Sequence, residues 1–285
     1  MVKFDSWKSY QNFEQSVRRK ARYVFEDHVK KFLETVIATS KGRKRKLSVG
    51  RVLWRAQQGD HWETVCVNGD EFDDHGPLPP QRMKPLAHSA REGRVNPKGI
   101  ACLYLATDKD TAMAEVRPWI GSYISIGQFK TLKDLVLIDC SVEHATNIIF
   151  HWYAKEPPPA VREKSIWAQI DHAFSEPVNP DETSADYAPT QILAEAFRSS
   201  GYDGIVYKSL LGKGFNVALF DINAADLVNC CLFKAESITF RFDQAGNPYV
   251  VNKYFENEKK HATQPSTRRV HPKKSGGGKW GHSEF

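Results

Sequence analysis

Gly93-Arg94-Val95-Asn96-Pro97-Lys98-Gly99 is a glycine-bounded turn that carries an arginine. It is followed by an apolar segment holding a tyrosine, Cys102-Leu103-Tyr104-Leu105-Ala106, and then by Ala114-Glu115-Val116-Arg117. An arginine fork on a turn with exposed N–H groups suits a phosphate. An aromatic ring suits a planar ring, and a carboxylate suits a developing cation. Together these are the groups needed to hold a charged nucleotide and to stabilise a cation formed from it.

Periodicity supplies the elements that must position them. In an extended 102–106 segment, Leu103 and Leu105 share one face and Tyr104 takes the other, so Tyr104 faces a cleft or a second layer. Asp108 stands at a helix N-cap position, and the helix runs from Thr111 through Arg117 until Pro118 limits it. On that helix Ala112, Glu115, Val116 and Trp119 share a face. Glu115 therefore falls among small and apolar neighbours, where a carboxylate needs a partner or a job. An ion pair with Arg94, Arg117 or Arg55 is the plain alternative. Arg55 ends the strand Val52-Leu53-Trp54, on a face it shares with Leu53. Tyr207-Lys208-Ser209 closes the strand Gly204-Ile205-Val206, and Asn216 precedes the strand Val217–Phe220. Ser209 is placed either to touch a ribose or phosphate oxygen or to cap its turn. No nucleophile elbow surrounds it. Gly212-Lys213-Gly214 lacks the spacing of a phosphate loop. The histidines His61, His75, His151 and His172 show no metal-ligand spacing, and no metal is expected.

The rest of the chain frames this segment. Its 285 residues are 41% hydrophobic and 26% charged, which supports a globular core of one large or two small domains. A net charge of +6 favours anionic partners. No apolar run is long enough to span a bilayer, and no signal-peptide core follows Met1. Five cysteines without metal spacing point to a reducing, cytoplasmic setting. Residues 5–38 read as one helix or two. The basic run Lys41–Lys46 reads as a solvated linker. Residues 57–92 read as long loops, and strands follow near 101–106, 122–129 and 134–139. A helical zone over 144–175 is broken at Pro157-Pro158-Pro159, and another helix covers 188–199. Strands are expected at 205–207, 217–220 and 228–242, with a turn at Gly246-Asn247-Pro248 and a disordered tail from about Glu256.

Taken in order, Trp54-Arg55, Gly93–Asn96, Leu103–Ala106, Ala114-Glu115-Val116, Thr190-Gln191 with Ala194-Glu195, Gly201–Ser209 and Asn216–Phe220 resemble the RES-domain family. The resemblance runs from about residue 50 to 222. It implies an α/β (α+β) fold with an ADP-ribosyltransferase-like mixed-sheet core. The chain then divides into an N-terminal helical extension and basic linker (1–48), a catalytic domain (49–245), and a C-terminal hairpin arm with a basic tail (246–285). The resemblance also implies a toxin that consumes NAD by splitting the nicotinamide–ribose bond. Inorganic phosphate is the expected co-substrate, giving ADP-ribose-1″-phosphate; hydrolysis and protein ADP-ribosylation are the alternatives. No permanently bound cofactor is implied. Carried over by position, Arg55 and Arg94 would bind the NAD phosphates or the acceptor. Tyr104 would stack on nicotinamide or its ribose, and Glu115 would stabilise the ribose cation. Ser209 would orient a ribose or phosphate, and Asn216 would join it in binding. A helix-turn-helix antitoxin is the implied partner, and a homodimer is left open. Nucleic acid would be met only indirectly or through the basic segments. A basic nucleotide- or nucleic-acid-binding module without catalysis is the reading from another class.

Overall fold

The structure, a computed structural model, describes residues 3–87, 89–144, 156–176, 184–239, 242, 244 and 246. The chain divides into two units, Met1–Thr239 and Phe240–Phe285. The sheet and the candidate site lie in the first. Its elements in chain order are α1 (Ser9–Arg19), α2 (Asp27–Ser40), β1 (Lys44–Leu47), β2 (Val52–Gln58), β3 (His61–Val67), β4 (Asp70–Gly76) and α3 (Pro80–Met83). They continue with β5 (Leu103–Ala106), α4 (Lys109–Glu115), β6 (Tyr123–Thr131), β7 (Leu135–Asp139), α5 (Pro159–Ser175), α6 (Ser184–Ser199), β8 (Gly204–Lys208), β9 (Phe215–Leu219) and β10 (Ala225–Lys234).

Eight strands form one mixed sheet in the order β1-β7-β8-β9-β5-β2-β6-β10. Among the described residues only the β7–β8 pairing is parallel. The long connection between those two strands carries α5 and α6, as a parallel crossover requires. This is the α/β mixed-sheet architecture expected from the sequence. Strand alternation divides the core into two faces. Leu103, Leu105, Leu135, Leu137, Val206, Val217 and Leu219 pack on one side with Leu53, Met83 and Phe129. Cys102, Tyr104, Ile138, Ile205, Tyr207 and Ala218 face the other, against the helices.

The helical layer includes the N-terminal pair. Tyr10, Phe13 and Val17 of α1 and Val29, Phe32 and Val36 of α2 are buried in the same cluster as Trp167 of α5 and Leu193 and Phe197 of α6. Phe13 and Phe32 stack with ring centroids 4.7 Å apart. The apolar stripe seen between residues 5 and 38 thus belongs to two helices.

Three expectations change. The basic run is not a solvated linker: Lys41–Arg43 makes a 3₁₀ turn and Lys44–Leu47 is an edge strand on β7. Each inward cation has a partner. Arg43 is buried over the Trp167 ring at 4.3 Å and pairs with Glu143, while Arg45 pairs with Asp139. The remaining lysines suit an exposed edge. Residues 57–92 are not simply loops. They contain the β3–β4 hairpin, closed by a two-residue Asn68-Gly69 turn, and the short α3. Asn-Gly is a hairpin signal, masked in the sequence by strands whose side chains are exposed on both faces. The last described strand occupies Ala225–Lys234, and residues 235–239 of the expected 228–242 strand lie outside it, while 240 and 241 are not among the described residues. The helical reading of 145–155, Asn247-Pro248 of the expected turn and the tail from Glu256 fall outside the described residues. Helix α5 starts at Pro159, the last residue of the proline run, with Pro158 as its N-cap.

Candidate active site

β2 and β5 touch through one backbone pair, Trp54 with Ala106. Each is paired at length on its other side, β2 with β6 and β5 with β9. Beyond that single pair the two strands part, and a cavity of about 430 Å³ opens between them. A second cavity of about 200 Å³ adjoins it and shares Arg94, Glu115, Tyr207 and Asn216. Their sizes are in keeping with a small-molecule cleft.

Arg55 projects from β2 across the parting. Its Nη1 donates to the Tyr104 carbonyl at 2.9 Å, bridging strands that no longer pair there. Its Nε finds no hydrogen-bond partner among the described residues. Burial lowers the guanidinium to about 10. A half-buried cation whose hydrogen-bond partner among the described residues is a carbonyl is stabilised by any anion that enters the cavity.

Arg94 sits on a turn that is fixed from four directions. Gly93 N–H donates to the Asn96 carbonyl. The Asn96 side chain donates to the carbonyls of Arg91, Pro97 and Ile100. Tyr104 Oη donates to Asn96 Oδ1 at 2.7 Å and accepts from Val95 N–H at 3.0 Å. Gln191 of α6 donates to the carbonyls of Gly93 and Asn96. A Cβ at position 93 would stand 2.7 Å from the Tyr104 hydroxyl, so the close approach requires glycine. The Arg94 guanidinium donates to the Ala173 carbonyl at 2.6 Å and lies 5.9 Å from the Tyr187 ring centroid. The Tyr104 ring lines the cavity while its hydroxyl holds the turn. Burial raises its phenol well above the usual range and keeps it protonated.

Glu115 is the last residue of α4, whose N-cap Asp108 accepts from Thr111 N–H as expected. A carboxylate at a helix C-terminus opposes the helix dipole and needs donors. Two neutral ones supply the need. Ser209 Oγ donates to Glu115 Oε1 at 2.6 Å, and Asn216 Nδ2 donates to the same atom at 2.7 Å. Glu115 lines both cavities and is solvent-exposed, not shut among apolar neighbours as the helix pattern suggested. Both bonds fall on Oε1.

Ser209 itself is buried and lines neither cavity. Its oxygen also accepts from the N–H groups of Leu211 and Gly212. The turn cap and the carboxylate donor are therefore the same atom. The glycines that follow serve packing: a Cβ at Gly214 would overlap Asp108 Oδ2 at 1.8 Å. Tyr207, two residues before Ser209, lines both cavities and rests on Phe174 at 5.9 Å. The sequence signal for it was the alternation with Ile205, which puts both on the helix-layer face. Tyr187, at the start of α6, had no such signal.

The cleft thus gathers Arg55, Arg94, Tyr104, Glu115 and Asn216, with Ser209 behind the carboxylate. The RES domain family model matches residues 52–243. The chain belongs to the RES-domain family. That span leaves out α1, α2 and β1. Among solved structures, a chain of the M. tuberculosis MbcT–MbcA toxin–antitoxin complex aligns at 13% identity and a TM-score of 0.36, covering 70% of this chain and 92% of that one. No curated protein matches the sequence at a significant level. Among the described residues no helix is long and apolar enough to cross a membrane.

Proposed function

We propose that this RES-domain protein consumes NAD, breaking the bond between nicotinamide and ribose, with inorganic phosphate as the acceptor. The observation that carries the reading is a carboxylate, Glu115, fixed on one oxygen by Ser209 and Asn216 and facing two arginines across one cleft. Nicotinamide in NAD is already cationic and leaves without protonation. The enzyme's task is to stabilise positive charge growing on the ribose. A carboxylate held in place before reaction does this without reorganising. Arg55 and Arg94 neutralise the pyrophosphate or the phosphate acceptor, and the Tyr104 face supports nicotinamide or its ribose. Ser209 acts through Glu115 in this reading, as a positioning residue. Attack of a phosphate oxygen on the ribose carbon completes the exchange and yields ADP-ribose-1″-phosphate and nicotinamide. Residues 49–245 carry this chemistry.

In the cell such an activity is that of a toxin, and we assign its restraint to a helix-turn-helix antitoxin in the cytoplasm. Family membership and the arginine–carboxylate cleft support the reading. The alternative of a basic module without catalysis loses its main segment, since residues 41–43 form a 3₁₀ turn and Lys44–Leu47 a strand of the sheet, with Arg43 and Arg45 paired.

The deciding experiment incubates purified protein with NAD, with and without phosphate, and follows nicotinamide release. Phosphate-dependent release is expected. Release that ignores phosphate moves the reading to a glycohydrolase, and label appearing on protein moves it to a transferase. No release under any condition removes it. Glu115→Gln is expected to abolish turnover with an unchanged melting temperature; near-normal activity would take Glu115 out of the reaction.

A further inference from the structure

A chamber of about 40 Å³ shares Arg94 and Glu176 with the second cavity of the cleft. Its walls include Tyr10, Glu14 and Arg18 of α1, Glu176 at the end of α5, and Asp186 of α6, together with Arg94 itself. Tyr10, Glu14 and Arg18 come from a helix outside the span matched by the RES family model. The placement of α1 here is specific. Arg18 pairs with Glu14 at 3.1 Å and with Asp186 at 3.4 Å, and it donates to the Asp186 carbonyl. Those contacts tie α1 to the start of α6, the helix whose Gln191 clamps the Arg94 turn.

Tyr10 is 5% exposed, and its hydroxyl finds no hydrogen-bond partner among the described residues. A buried hydroxyl left unmatched costs stability, so native structures rarely keep one without a use. Tyr10 lines the chamber together with the carboxylate of Glu14 and the guanidinium of Arg94, and both charges act on its phenol. Burial raises the phenol far above its usual range, with Glu14 adding to the rise and Arg18 and Arg94 opposing it. The hydroxyl therefore stays neutral, able to donate and to accept. The chamber is roomy enough for a water and offers it polar groups on several sides.

We propose that α1 is a working wall of the active site: the Tyr10 hydroxyl, through a water held in the chamber, braces the Arg94 guanidinium in its anion-binding position. Glu14 accepts from that water and keeps it oriented. Tyr10 and Glu14 are positioning residues, since neither lines the cleft. The inference rests on the NAD reading of Arg94 for its catalytic consequence, but not for the contact itself.

Tyr10→Phe in the full chain separates a positioning hydroxyl from an inert one. An inert unmatched hydroxyl predicts a higher melting temperature and no kinetic change. The brace predicts that KM for NAD rises about 3- to 10-fold while kcat stays within about twofold, the scale of one modest hydrogen bond. An unchanged KM overturns the proposal. A crystal structure of the full-length protein tests the contact without reference to turnover. A water within hydrogen-bond distance of both Tyr10 Oη and the Arg94 guanidinium supports it, and the lack of one overturns it. Wild-type protein that releases no nicotinamide defeats the NAD reading, and the crystal structure then decides the brace alone.

Discussion

Ser209 shows how one atom can serve two elements. Its oxygen accepts two backbone N–H groups of its own turn and donates to Glu115. Removing it frees the carboxylate to rotate without emptying the cleft of any lining group. Ser209→Ala is therefore expected to lower kcat by roughly 10- to 150-fold, the scale of one hydrogen bond to a charged group, with a smaller effect on KM for NAD. Steady-state kinetics on nicotinamide release checks it. A rise in KM alone would place Ser209 in substrate binding instead. The arginines differ in kind. Arg55 is a half-buried cation on a strand, and Arg94 is a turn residue whose position depends on Asn96, Tyr104 and Gln191. The sequence displayed both arginines, but not that Tyr104 would use its hydroxyl to hold the turn and its ring to line the cavity.

At the scale of elements, the Gly93 turn and helix α5 carry the site. Gly93→Ala would push a methyl group into the Tyr104 hydroxyl, which is itself held by Val95 and Asn96. A loss of about 1–3 kcal/mol in stability is expected from such overpacking, with a raised KM for NAD as the Arg94 turn shifts. Thermal melts and kinetics on the same variant check both. Helix α5 supplies the Ala173 carbonyl to Arg94 and is anchored by Asp171, which meets His144 at 2.6 Å. Burial raises the Asp171 carboxyl above its ordinary value of 3.8, with His144 opposing. A raised folded-state value means the folded protein holds this proton more tightly than the unfolded chain. The resulting stability is complete below the unfolded value and is lost as pH climbs through the folded one. Asp171→Asn lacks that loss. Its melting temperature relative to the parent should increase between about pH 4 and pH 7. A difference that stays flat across that range would show that Asp171 does not titrate there.

For the whole molecule, the family's span and the folding unit do not coincide. The matched residues begin at 52, yet Phe13, Phe32 and Val36 share one core with Trp167 and Phe197, and β1 covers the edge at β7. A fragment of residues 52–243 is expected to show no cooperative thermal transition by circular dichroism, because it exposes the apolar face that α1 and α2 cover. A cooperative melt like that of the full chain would make the N-terminal helices dispensable. The sequence by itself determined the strand around Tyr104, the Asp108 cap, the α/β class and the order of Arg55, Arg94, Tyr104, Glu115 and Ser209. These follow from local periodicity, capping chemistry and motif order, which need no knowledge of distant residues. Only the tertiary structure decided that Lys44–Leu47 pairs with β7, that the β3–β4 arm is a hairpin, and that Glu115 is held by Ser209 and Asn216 rather than by an arginine. Each of those depends on partners about 80 to 100 positions away or on the absence of a buried face, and neither is written in a local window. The cleft itself belongs to the same class. It exists because two strands, each paired on its far side, meet at a single residue pair and then separate.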